Sequence, residues 1–144
     1  MKASTWLRIA SVLTLIHFAG HTFDGMLSEP RHGVGEIILR QAMKSYRLDV
    51  MGRTRSYWDF YYGFGLYASA ALLLTAVLMW QLSMMVKTSP EKARPFIATL
   101  FIAFVAFAVL DWFYFFTIPL VFTIAVALCL GMAFVSAKRV HKES

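Results

Sequence analysis

The sequence predicts an all-α fold: an integral membrane four-helix bundle with an interfacial amphipathic helix between helices one and two. Three observations lead there. Hydrophobic residues fill 59% of the 144 positions and charged residues only 15%, whereas a soluble domain carries about 25% charged residues. Mean hydropathy is +0.62. Four apolar segments are each long enough to cross roughly 30 Å of hydrocarbon, which takes about 20 helical residues. At this length a single domain over residues 1–144 is expected.

The first segment runs near Thr5 to Phe23. Lys2 and Arg8 precede its apolar stretch as in a signal peptide, but His17 and His21 interrupt it and no A-x-A site follows. It is therefore expected to be a retained helix. The second segment, near Trp58 to Val86, is long enough to tilt or to project beyond the bilayer. The third runs near Pro95 to Phe115 and the fourth near Pro119 to Ala137. Both prolines fit helix starts, where a missing amide hydrogen costs little. Only a few residues join these last two segments, which predicts an antiparallel helical hairpin.

The intervening stretch from Gly25 to Tyr57 is different in kind. Glu36, Arg40, Lys44 and Arg47 repeat at helical spacing, and Val34, Ile38, Leu39, Ala42, Met43 and Tyr46 cover much of the remaining surface. That pattern predicts an amphipathic helix near 34–48 lying at the membrane interface. Its first expected role is a surface anchor and its second a lid over the bundle mouth.

The net charge of +6 comes from basic residues in loops and at helix ends, where they meet lipid head groups and set topology. No zinc-finger spacing, phosphate loop or RNA-binding signature is present, so nucleic acid is not an expected partner. If all four segments span, Lys2, Arg8, Lys87, Lys92, Arg94, Lys138, Arg139 and Lys142 share one side. Arg31, Arg40, Lys44, Arg47, Arg53 and Arg55 share the other. This bias favours both termini in the cytoplasm. The single cysteine, Cys129, sits in an apolar run and reads as a small buried residue.

Function is expected where polar groups enter apolar segments, because such groups are costly there and face a bundle interior or a cavity. Thr14, His17, His21 and Asp24 are spaced three, four and three apart, which places them on one helical face. Alternating helix directions bring Asp59 and Asp111 to the same membrane side. Tyr61 and Tyr62 flank Asp59 within an aromatic belt, and Gly63, Gly65 and Ser69 offer small surfaces for helix approach.

Three readings follow. In the first, His17, His21, Asp24, Asp59, Asp111, Tyr61 and Tyr62 line a pocket for a small hydrophobic or lipid-like ligand. Imidazole and carboxylate then hold its polar end and are available for acid–base work. In the second, His17 and His21 bind a metal as an i, i+4 pair completed by an aspartate. The pair lacks the internal glutamate of zinc proteases, and two ligands on one face cannot straddle a haem. In the third, the groups only fasten the helices together. No cofactor or reaction is specified by any motif.

The stretches HFAGHTFDG, MKSYRLDVMG and YWDFYYGFGLY, with WQL further on, resemble a family of small bacterial integral membrane proteins with four helices and no assigned activity. The DoxX-like group is similar in size and helix count only. The resemblance implies a bacterial inner-membrane location and adds no site residue. Membrane lipids are the expected partners. Small residues on helices two to four also permit a homo-oligomer, and a single copy leaves little room for a transport path.

Overall fold

The computed structural model describes residues 1–137. Lys138, Arg139 and Lys142, which weigh in the expected orientation, lie outside the described residues. The chain is mostly helical. Helix α1 (Ala3–Ala19) continues into a π-helical segment, Gly20–Met26. Helix α2 (Val34–Ser45) leads into strands β1 (Arg47–Val50) and β2 (Arg53–Ser56). Helices α3 (Tyr57–Thr88), α4 (Pro90–Tyr114) and α5 (Thr117–Ser136) complete the order. These last three are long and apolar enough to cross a membrane.

The first expected helix changes its winding before it ends. From Gly20 onward the backbone closes hydrogen bonds five residues back, as in Leu27 N–H to Thr22 O at 2.9 Å. Gly20 and Gly25 carry no side chain to resist the wider turn. The regular α part is only 17 residues long, short of the roughly 20 a span requires. The three-four-three line of Thr14, His17, His21 and Asp24 assumes α winding, which holds only through Ala19.

Two further boundaries differ from expectation. The amphipathic helix stops at Ser45 rather than near 48, because Tyr46 is already extended (φ −80°, ψ 111°) and begins a β-hairpin. Its two-residue turn, Met51-Gly52, has positive φ at both positions (49° and 77°), the twist that matches paired strands. The antiparallel register pairs Leu48 with Arg55 and Asp49 with Thr54, and the Thr54 hydroxyl donates to the Asp49 carboxylate at 2.6 Å. Helix α4 starts at Pro90 rather than Pro95, with Lys92 and Ala93 N–H donating to Ser89 O. Ala93 and Ile97 are both fully buried four residues apart. Continuing the helix back to Pro90 keeps both on one face, although Pro95 forgoes one interior hydrogen bond.

The described residues form two compact units: residues 1–17 with 72–137, and Phe18–Ala71. The first unit has an apolar core drawn from α1 (Leu7, Ala10), the later part of α3 (Met79), α4 (Ile97, Phe104) and α5 (Leu130). Helices α4 and α5 pack along each other as the expected hairpin, joined through Phe115 and Phe116. The buried Ser11 hydroxyl donates to Ala76 O at 2.7 Å, tying α1 to α3 without leaving a polar atom unsatisfied. Large apolar residues such as Ile102, Leu128 and Val135 are about two-thirds exposed. In water that surface would be an aggregation liability, while against hydrocarbon it is ordinary.

Candidate functional site

The second unit, Phe18–Ala71, contains five of the seven nominated residues. Its base is the contact between the π segment and the start of α3. His21 Nε2 lies 3.0 Å from Gly65 O. A carbonyl can only accept, so Nε2 carries a hydrogen in this arrangement. The Thr22 hydroxyl donates to Ser69 Oγ at 2.8 Å, and Ser69 donates in turn to Gly65 O at 3.2 Å. A Cβ on Gly65 would overlap the Met26 thioether. The small strip Gly65-x-x-x-Ser69 is thus a place of close approach. Gly63 is not, since a Cβ there would meet nothing.

The carboxylates of Asp24, Glu36, Asp49 and Asp59 in this unit are engaged locally. Asp24 pairs with Arg31, but both side chains are largely exposed (72% and 62%), so solvent weakens the pair. Glu36 Oε2 accepts the backbone N–H groups of Arg31 and His32, each at 2.8 Å. The His32 amide, followed by the Arg31 amide and the nearby positive charge, holds the Glu36 carboxyl below its ordinary range against a smaller desolvation penalty. Asp59 Oδ2 accepts Ser56 N–H at 2.8 Å while Asp59 N–H donates to Ser56 Oγ at 3.2 Å. That reciprocal pair is a capping box at the first turn of α3. It occupies one oxygen of the carboxylate that was expected to line a ligand pocket.

Above Asp59 lies a cation–aromatic stack. The Arg40 guanidinium sits 4.7 Å and the Lys44 ammonium 5.3 Å from the Trp58 ring centre. Trp58 packs against Tyr61 at 5.5 Å and Tyr62 at 5.9 Å, and Tyr46 stacks on Tyr57 at 5.6 Å. The helix-to-ring contact explains how α2 is turned. Its half-buried positions are Glu36, Arg40 and Met43, while Val34, Ile37, Ile38 and Leu39 are exposed. The apolar face of this amphipathic helix points outward and part of its charged face points toward the protein.

The other two nominated residues belong to the first unit and have neighbours there. His17 stacks on Phe122 with ring centres 5.2 Å apart. Asp111 Oδ2 accepts from Thr123 Oγ1 at 2.8 Å, across the α4–α5 hairpin. Thr123 Oγ1 is also within reach of Pro119 O and Leu120 O. Its single hydrogen serves one of the three acceptors at a time. An open groove of about 440 Å³ on α4 and α5 is lined by Phe101, Val105, Trp112, Leu120, Ile124 and similar apolar residues. Among the described residues no group of three or more His, Cys, Asp or Glu side chains gathers closely enough to hold a metal ion.

The sequence did not single out Ser56, Thr22, Thr123 or the stacking of Arg40 and Lys44. The capping box was readable, because Ser56-x-x-Asp59 precedes an apolar run. The others depend on neighbours 12 to 47 positions away in sequence. Comparison of the chain with protein families, with curated proteins and with solved structures finds no match.

Proposed function

We propose that this chain is an integral protein of the bacterial inner membrane, with four spans and both termini cytoplasmic, that binds a lipid-like ligand at its interfacial unit. Helix α1 and its π extension supply the fourth span, since their combined length exceeds what regular α winding alone provides. Tyr61, Tyr62 and Trp58 form the apolar wall of the site. His21, Asp24 and Asp59 serve to fasten the fold of that unit, while His17 and Asp111 meet Phe122 and Thr123 within the other unit. The observation that carries this reading is the Arg40–Lys44–Trp58–Tyr61–Tyr62 stack. It combines flat apolar surface with fixed cations at the start of a helix long enough to span.

The test uses the full chain purified in mild detergent, with co-purifying lipid measured by mass spectrometry. Trp58→Ala and Tyr61→Ala are expected to reduce retained lipid several-fold. His21→Ala should lower thermal stability by about 1 kcal/mol, the usual net value of one hydrogen bond, and leave lipid retention near wild type. Undiminished lipid in Trp58→Ala would overturn the assignment.

A further inference from the structure

We infer that α2 and the β-hairpin form a docking surface for anionic phospholipid: Arg40 and Lys44 hold the head-group phosphate, and the outward apolar face of α2 enters the acyl region. This rests on the membrane reading above and adds the chemical class of its ligand.

The charge argument is local. From Ile37 to Ser56 the chain carries five cations, Arg40, Lys44, Arg47, Arg53 and Arg55, against one acid, Asp49. Asp49 accepts from Thr54. The adjoining acids are engaged too, Glu36 by loop amides and Asp59 by Ser56. Among the described residues the one ion pair in contact is Arg31 with Asp24, so none of the five cations touches a carboxylate, although Arg40 lies within the field of Glu36, and Arg47 and Arg55 within that of Asp59. Arg40 and Lys44 are one helical turn apart, and both rest on Trp58. Stacking restricts the two side chains before any anion arrives, which lowers the ordering cost of binding. Arg40 spends one N–H on Ser28 O and keeps others available for a phosphate oxygen.

The depth argument comes from continuity. Helix α3 begins at Tyr57, directly after β2 ends at Ser56. If α3 spans, the hairpin and Trp58 lie at head-group level, where tryptophan and tyrosine are favoured. Helix α2 then presents Val34, Ile37 and Ile38 away from the protein, exposed by 71%, 45% and 61%. A cationic stack beside an uncovered apolar helix face is complementary to an anionic amphiphile. A neutral apolar partner would leave the cations unmatched.

Native mass spectrometry of the full chain, titrated with phosphatidylglycerol or phosphatidylcholine, tests the head-group preference. Wild type should retain phosphatidylglycerol preferentially. Lys44→Gln/Arg53→Gln/Arg55→Gln should lose about fivefold of that preference per charge removed, the effect of one basic residue near an anionic surface. Equal retention of the two lipids by wild type, or an unchanged preference in the folded triple variant, would overturn the inference. Excess inorganic phosphate should not displace the lipid, and displacement would overturn the assignment to phospholipid.

Depth is read separately in nanodiscs, on a Cys129→Ala background, with a fluorophore at Ile38→Cys or Ile102→Cys. Quenching at Ile102 by deeply spin-labelled lipid reports the span, and quenching at Ile38 by shallow spin-labelled lipid supports this inference. Quenching at Ile102 alone overturns the inference and spares the membrane reading. Quenching at neither overturns both.

Discussion

The two compact units are held together by different kinds of interaction. The unit built from α1, the later part of α3, α4 and α5 rests on buried apolar side chains, with Leu7, Met79, Ile97 and Leu130 fully inaccessible. In the unit from Phe18 to Ala71 few residues are buried, and no residue of α2 is. Its shape depends on specific polar and aromatic contacts: His21 to Gly65, Thr22 to Ser69, Ser56 with Asp59, and Arg40 over Trp58. Close packing spreads stability over many atoms, whereas directional contacts concentrate it in a few groups and leave the surrounding surface available for binding.

The largest expected difference between the units lies in core truncation. Phe104→Ala removes a side chain that is 1% exposed and should cost about 3 kcal/mol, read as a lowered unfolding midpoint in detergent. Truncation of an exposed apolar residue of α2, Ile38→Ala, should cost under about 0.5 kcal/mol. Comparable losses at the two positions would erase the contrast.

A smaller effect is expected at the close approach in the second unit. Gly65→Val forces the Met26 thioether aside and should cost about 1–3 kcal/mol, as overpacking does. Adding Met26→Ala should recover part of that loss. Failure of the second change to recover anything would mean that the strip does not hold the π segment in this way.

The smallest effect concerns pH. Glu36 is held below its ordinary range by the His32 and Arg31 amides. Its contribution is therefore present above the unfolded-state value near 4.5 and is lost as pH falls through the lower folded value. Amide exchange at Arg31 and His32 should lose protection below that pH in wild type. Glu36→Gln should lack this step. A step of the same size in the variant would remove Glu36 as its cause.

Much of this architecture was legible because it depends on neighbours close in sequence. The apolar runs mark α3, α4 and α5, the short link marks the α4–α5 hairpin, and the i, i+4 charges mark α2. The strip Gly65-x-x-x-Ser69 could be read as a place of close approach because small size is a property of the residues themselves. The nominated site was less legible. His17, His21, Asp24, Asp59 and Asp111 could be selected by cost in hydrocarbon, but cost does not say which partner relieves it. Asp111 finds Thr123, and Asp59 finds Ser56 three residues back. The Met51-Gly52 hairpin was overlooked because its strands are short and rich in charge, which weakens the alternating apolar signal.

By itself the sequence determined a mostly helical chain with helices apolar enough to span a membrane, and an amphipathic segment with cations at helical spacing. Those properties follow from residue types and near-neighbour periodicity. Tertiary structure alone decided that the first helix unwinds into a π segment against α3 and that the charged face of α2 turns toward Trp58. It also decided that Asp111 meets Thr123 across the α4–α5 hairpin. Each of these outcomes depends on which distant surface meets a side chain and on the geometry it permits, and neither can be computed from spacing along one helix.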